Sequence, residues 1–386
     1  MTDSKHIEIL TSEAVELLRE MVAIPSPSFH EDEVCSHISK WLTSKGVEHE
    51  RVGNNIIAEH ITDPSKPTLM LCAHIDTVDP CEGYTFDPYK PENCPSDMVQ
   101  GLGSNDDGAS AVSMIAAYRH FIGSGAGVKN NPSHSFVVGP TPCGQGGSTV
   151  FNTCTTAKNL TLVLTCEEER SGKGGMTGLW GKRLNRIDYA IVGEPTGMKA
   201  AISERGLLVI DATAHGVSGH AARNEGKNAL YIALEDIEKL RNHEFAKMSP
   251  KMGKVNLNVT QINAGSAHNV IPGRCDFVID IRPTEQYTNE EILEELQAIC
   301  KSELKPRNLA NRSSATKEQS QLQKLAEGMG IETFSSATTS DWMRITCDAI
   351  KMGPGESTRS HRKDEFVYID DIRRAIEIYI EFIHKL

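Results

Sequence analysis

"LTLVLTCEEERSGKGGM", residues 160–176, is the stretch on which the fold turns. Its first six residues make a largely apolar run of strand length, closed downstream by a glycine loop. A strand apolar on both sides has to be covered on both faces, as in a parallel sheet flanked by helices. Between strand and loop stand Glu167, Glu168 and Glu169. Like charges at the end of a buried strand repel one another and lose hydration unless a cation compensates them. The stretch therefore predicts an α/β sheet with something positive at its strand ends.

The flanking sequence agrees. "EDEVCSHISKWLTSKG" (31–46) puts Val34, Ile38, Trp41 and Leu42 on one helical face and stops at Gly46. "NNIIAEH" (54–60), "TLMLCAHID" (68–76) and "YAIVG" (189–193) read as strands, and "GASAVSMIAAYRHF" (108–121) as a small-residue helix suited to close packing. Strands alternating with helices predict a mostly parallel sheet with helices on its faces.

Near Ser203 the pattern changes. "RGLLVIDATAHG" (205–216) reads as a strand, and "GKNALYIALEDIEKLRNH" (226–243) as a helix with Leu230, Ala233, Leu234 and Ile237 on its apolar side. "KVNLNVTQIN" alternates Val255, Leu257 and Val259; "CDFVIDIRP" alternates Cys275, Phe277, Ile279 and Ile281. "TNEEILEELQAIC" opens with a capping box from Thr288 to Glu291. This β-α-β-β-α order is most of a ferredoxin-like α+β unit. The expected organisation is a first domain of residues 1–202 and 312–386 with a second, 203–311, inserted into it. Residues 123–158, rich in Gly, Ser, Asn, Pro and Thr, are expected to form an exposed insertion without chemistry of its own.

At 386 residues the chain is too long for one ordinary core. Lys and Arg total 40 against 52 for Asp and Glu, giving a formal charge of −12 without any basic stripe. That balance disfavours nucleic acid and anionic membrane surfaces as partners. No signal peptide or membrane-spanning run is read, and the ten cysteines lack any CxxC pair. Cys35, Cys72, Cys166, Cys275 and Cys300 sit in apolar segments as expected of reduced core thiols, and the cytoplasm is the expected compartment.

Open α/β sheets place ligands beyond the carboxyl ends of their strands. At those ends stand His74 and Asp76, two apart on one strand face, so that Asp76 can reach the ring nitrogen of His74 that holds no metal. "QGLGSNDDG" (100–108) resembles a nucleotide loop, but Asp106 stands where the third glycine would be and would repel a pyrophosphate. The bland alternative is that Asp106 or Asp107 caps the next helix. Glu194 in "YAIVGEPTG" and His361 in "KMGPGESTRSHRKDEF" add two more groups. Each alone has a harmless explanation; together they bring imidazoles and carboxylates to one sheet edge. That donor mixture suits zinc, with cobalt or manganese as substitutes. Two divalent ions would be balanced by three ligand carboxylates and one hydroxide, so the acidic run becomes tolerable in a cleft.

Five segments in this order, "HID", "GLGSND", "EEERSGKGGM", "GEPT" and "GPG…SH", resemble the motifs of the dinuclear zinc amidohydrolases. That family includes acetylornithine deacetylase, succinyl-diaminopimelate desuccinylase, aminoacylase and glutamate carboxypeptidase. The likeness covers nearly the whole chain outside 123–158 and is strongest to the acylornithine and acylcitrulline deacylases of arginine biosynthesis. It implies that His74 and Glu194 hold one zinc, that Glu169 and His361 hold the other, and that Asp106 bridges them. It further implies that Asp76 orients His74, that Glu168 is the general base, and that Glu167 takes a position more often held by Asp. Asp107 stands where relatives more often have Lys or Met and is expected near the ligands or at the surface. The inserted domain resembles a lid through which two copies dimerise, with His220 of "HGVSGHAA" reaching the partner's site to stabilise an oxyanion. Asn269, Arg282 and Gly355 are the implied substrate contacts, Arg282 suiting an α-carboxylate. The implied reaction is hydrolysis of an N-acetyl or N-succinyl amino acid, such as that of ornithine or citrulline. A dipeptidase or carboxypeptidase on the same scaffold is the alternative.

Overall fold

The computed structural model describes residues 4–123, 157–223 and 225–386. The insertion expected at 123–158 therefore lies, but for its ends, outside the described residues. The chain divides into two compact units.

In the first unit the 160–165 run becomes the strand Asn159–Thr165, buried at every residue. Thr68–His74, also buried throughout, pairs parallel to it; Tyr189–Val192 and Asp348–Lys351 continue the parallel set. The margins are antiparallel, with Asn55–His60 and Glu50–Val52 on one side and Ala200–Glu204 on the other. Apolar residues alternate faces along a strand. Leu69, Leu71, Leu160, Leu162, Ile191 and Ile350 belong to one core with the helices Ser4–Val22, Asp32–Ser44, Ala109–Ile122 and Ile369–Lys385. Ala111, Ala116 and Ala117 are buried in that core, as the small-residue pattern requires for close helix packing. The parallel strands end at His74, Thr165, Val192 and Lys351, so the segments beyond them emerge side by side at one edge of the sheet.

The second unit comprises Ser203–Ala315 with Ser335–Arg344, whereas the sequence suggested 203–311 alone. Its antiparallel sheet runs Asn256–Ala264, Arg274–Arg282, Leu208–His215, Glu303–Pro306. The last strand, unread in the sequence, completes a β-α-β-β-α-β ferredoxin-like order. Cys275, Phe277, Ile279 and Ile281 all point into its core. The capping box forms on the helix Asn289–Ile299, between Thr288 and Glu291.

The apolar face expected for the helix Ala229–Asn242 needs correction. Ala229, Ile232, Ala233, Asp236 and Leu240 are buried there, while Leu234 is exposed. The inward-facing carboxylate explains the difference. Asp236 accepts hydrogen bonds from the Lys301 N–H, the Ser302 N–H and the Ser302 hydroxyl at 2.7–2.9 Å, which replace its lost water.

Candidate metal centre

The sheet delivers its polar residues to one place. His74, ending its strand, is 2% exposed. Its Nε2 lies 3.3 Å from Asp106 Oδ1. Asp106 Oδ2 faces the other way, 3.8 Å from His361 Nε2, and that same imidazole nitrogen is 3.0 Å from Glu169. One aspartate thus presents its two oxygens to two histidines from opposite ends of the chain. Glu168 and Glu194 complete the cluster: each brings an oxygen within 4.8 Å of a His74 nitrogen and of the other.

Asp106 owes its position to the turn Ser104–Gly108, which precedes the helix Ala109–Ile122. Gly108 stands at the cap position and no side chain caps that helix, so neither Asp106 nor Asp107 serves there as the bland reading supposed. Glu365 accepts the N–H groups of Asn105 and Asp106 at 2.8 and 2.9 Å and fixes the turn. Asn105 in turn clasps the Glu356 backbone, donating to its carbonyl and accepting its N–H. Gly355 adopts a φ of 80°, and a Cβ there would collide with Asn105 Oδ1, so glycine is what lets this loop close.

The three glutamates divide into two situations. Glu167 has a φ of 59° and its carboxylate accepts the Gly174 N–H at 2.8 Å, with Gly172 and Gly174 packed so closely that a Cβ on either would strike it. It braces the glycine loop. Glu168 and Glu169 turn towards the histidines, and their N–H groups donate to the two oxygens of Asp76 at 3.0 and 3.1 Å. Ser28 adds a third bond to Asp76, at 2.7 Å. His74 Nδ1 meets the Asp76 carbonyl at 2.9 Å and its carboxylate only at 3.5 Å. Asp76 thus holds the ring mainly through its backbone, and its side chain holds the glutamate turn.

The electrostatics describe a site short of positive charge. Burial, and next the Asp106 carboxylate, push the Glu194 carboxyl well above the usual range. Burial likewise raises Asp107 to about 8, with the neighbouring Asp106 charge adding to it. Asp107 is 1% exposed, which removes it from the surface, and neither of its oxygens has a hydrogen-bond partner. Although burial opposes it, the carboxylates of Asp106 and Asp76 raise His74 well above its ordinary value; Glu169 does the same for His361. Crowded carboxylates facing two imidazoles are a donor set that divalent cations fit.

The remaining expected contacts lie in the second unit. His220 pairs with Val270 across a short antiparallel ribbon, and the Ala221 N–H donates to the Asn269 carbonyl at 3.0 Å, so His220 and Asn269 are neighbours. Arg282 holds Asp280 through Nε and Nη2 at 2.9 and 3.1 Å. Ser28 and Glu365 are the residues that sequence reasoning passed over, while Asp107 lies buried beside Asp106 and His74, one of the two places expected for it. Nothing in "RKDEF" singles out Glu365, which the Phe366–Tyr368 pairing with Met98–Gln100 brings beneath the Asp106 turn.

An α/β unit gathering imidazoles and carboxylates at its strand ends, interrupted by a ferredoxin-like α+β unit, defines a metallohydrolase architecture of two domains. Residues 202–308 match the M20 peptidase dimerisation domain. Succinyl-diaminopimelate desuccinylase of Wolbachia pipientis from Culex pipiens is 26% identical over 96% of this chain and 92% of its own length. Acetylornithine deacetylase of Myxococcus xanthus is 27% identical over 56% of this chain and 62% of its own. The solved YXEP protein of Bacillus subtilis, described as a dinuclear metal binding peptidase from the M20 family, superimposes with a TM-score of 0.70 over 98% of both chains at 15% identity. The chain is thus similar, over nearly its whole length, to proteins of the M20 family. No helix among the described residues is long and apolar enough to cross a membrane.

Proposed function

We propose that the protein hydrolyses the amide bond of an N-acyl-L-amino acid, releasing the carboxylate and the free amino acid. The observation that carries this reading is Asp106 lying between His74 and His361, with Glu168 beside the cluster. His74 and Glu194 would hold one zinc ion, Glu169 and His361 a second, with Asp106 shared; cobalt or manganese would substitute. Such ions, when bound, acidify water and polarise the acyl carbonyl.

Glu168 takes the proton from the attacking water and returns it to the nitrogen of the departing amine. Asp76 keeps that carboxylate aimed by holding the backbone on either side of the Glu168 α-carbon. His220 of a partner protomer donates to the developing oxyanion, which makes the working form a homodimer. Asp280 occupies the Nε edge of Arg282, so the substrate α-carboxylate would take the other edge of the guanidinium. Asn269 and Gly355 are proposed as further contacts to the substrate. The relatives favour acetyl or succinyl as the acyl group, with ornithine and citrulline among the amino acids to be tried.

The deciding experiment is a substrate panel at defined zinc or cobalt loading, with N-acetyl and N-succinyl amino acids set against dipeptides. Turnover concentrated on acyl amino acids supports the proposal. Preference for dipeptides would replace it with a peptidase on the same scaffold, and no hydrolysis of either would leave a metal-binding protein without this activity.

A further inference from the structure

Four successive backbone N–H groups at the end of the Asn159–Thr165 strand are each taken by a side-chain oxygen from elsewhere in the first unit. Cys166 donates to Asn55 Oδ1 at 3.1 Å, Glu167 to Glu31 Oε1 at 3.1 Å, and Glu168 and Glu169 to the two oxygens of Asp76. Asn55 begins one strand already described, and Asp76 lies two residues beyond the end of another. Glu31 has no such place: it precedes the helix Asp32–Ser44, is 0% exposed, and takes no part in the cluster of histidines and carboxylates.

Its bonds are specific. Oε1 accepts from the Phe29 N–H at 2.7 Å as well as from Glu167, and Oε2 accepts from Asn54 Nδ2 at 3.2 Å. Phe29 has a φ of 74° and Glu167 a φ of 59°. Both are non-glycine residues in the left-handed region, a conformation that persists only when the surroundings impose it. A single carboxylate oxygen fastens both strained residues, and the residue after the second is Glu168.

We infer that Glu31 is a positioning residue for catalysis, holding Glu167 in its left-handed turn so that the Glu168 carboxylate points at the reacting water. The inference rests on the reading of Glu168 as general base. Displacing a catalytic group by about 1 Å costs on the order of 100-fold in rate even when the mutated residue is remote from the chemistry. Release of the Glu167 N–H would let its φ relax and swing the next side chain by such an amount. Substrate binding and metal retention depend on other side chains and would stay as they are.

The test compares Glu31→Met, which keeps length and removes both acceptors, with Glu31→Gln, whose amide oxygen can still take the Phe29 and Glu167 N–H groups. Glu31→Met is expected to lower kcat by about 10–100-fold at unchanged KM and unchanged metal content. Glu31→Gln is expected to stay within about threefold of the parent, since the acceptor that matters survives. In a Glu168→Gln background, Glu31→Met should cost nothing further, because the group it aims is already disabled. An equal loss in both backgrounds, a parallel loss of metal, or a Glu31→Gln as impaired as Glu31→Met would each overturn the inference. Should Glu31→Met not fold, Glu31→Asp keeps the charge, falls short of the two N–H groups, and carries the same expectations. Near-parental turnover in Glu168→Gln alone would instead sink the base assignment, and that result is separable from any outcome at Glu31.

Discussion

Asp76 receives the backbone N–H of Glu168 at 3.0 Å on the same side chain whose Oδ1 stands 3.5 Å from His74 Nδ1. One residue therefore serves both features: its backbone carbonyl holds the imidazole expected to bind metal, with its carboxylate farther off, and that carboxylate holds the turn carrying the proposed base. Asp76→Asn replaces one of its oxygens with an amide donor, which would face an N–H, a hydroxyl or an imidazole nitrogen that now finds an acceptor. The expected result is a loss of about 10–100-fold in activity or metal affinity, typical of groups that support metal ligands. Steady-state kinetics with metal analysis would reveal it. Unaltered values for both would show that the Asp76 backbone carbonyl suffices.

Glu168 is the group on which turnover should depend most. Glu168→Gln preserves shape and removes the ability to accept a proton. Both metal equivalents should remain, while kcat falls by about 10²–10⁴-fold. Elemental analysis and kinetics on one preparation read both quantities. A variant within a few-fold of the parent would move the base elsewhere.

Those two residues also show what could be read from the sequence and what could not. The parallel strands were legible because covered strands are apolar throughout, as Thr68–His74 and Asn159–Thr165 are. Polar residues directly after such runs had to lie at the sheet edge, and that located His74, Glu168, Glu169 and Glu194. The strand Glu303–Pro306 was missed because "ELKP" carries two charges and a proline, a composition that only an edge position tolerates. Asp236 defeated the helix pattern because its donors come from residues more than sixty positions away. Glu31 and Glu365 were unreadable for the same reason: a buried carboxylate is recognisable only once the N–H groups it accepts are in place. Asp107 was open between a helix cap, a place near the ligands and the surface, since nothing local reveals that its turn points inward.

His361 is half exposed and held mainly by Glu169, at 3.0 Å. Removing the imidazole leaves the second proposed metal position with only the carboxylates of Asp106 and Glu169. His361→Ala should therefore bind one divalent ion instead of two under conditions that load the parent fully. Chelation should abolish activity in the parent, with zinc, cobalt or manganese restoring it. A variant that still takes up two equivalents would contradict the ligand assignment.

His220 lies in the second unit, next to Asn269. If it serves the site of the other protomer, His220→Ala and Glu168→Gln are each inactive for different reasons. Subunit exchange between them would create hybrids in which one site has both residues intact. Mixed samples should regain up to about one quarter of the parental activity per subunit, from half the dimers carrying one working site. Activity that stays at the sum of the two variants, after exchange has been verified, would place His220 in the service of its own chain or outside catalysis.

Stability in acid depends on a histidine away from the cluster. His120, at the end of the helix Ala109–Ile122, has its pKa pushed down to about 4 by burial first, then by the neighbouring His6 and His384. His6 Nε2 lies 3.1 Å from His120 Nδ1, so only one of the pair can be charged cheaply. The unfolded imidazole titrates near 6.5. A depressed folded value means that the neutral form is the one built into the fold. The contribution is intact above pH 6.5 and is lost as the pH falls towards 4, because the unfolded chain takes up a proton that the folded chain refuses. Other titratable groups also contribute to the pH dependence of stability, so the useful quantity is a difference. Thermal unfolding of the parent and of His120→Gln at pH 7.5 and pH 5 should show the parent losing more stability on acidification than the variant does. Parallel losses would mean that His120 is as readily protonated in the fold as out of it.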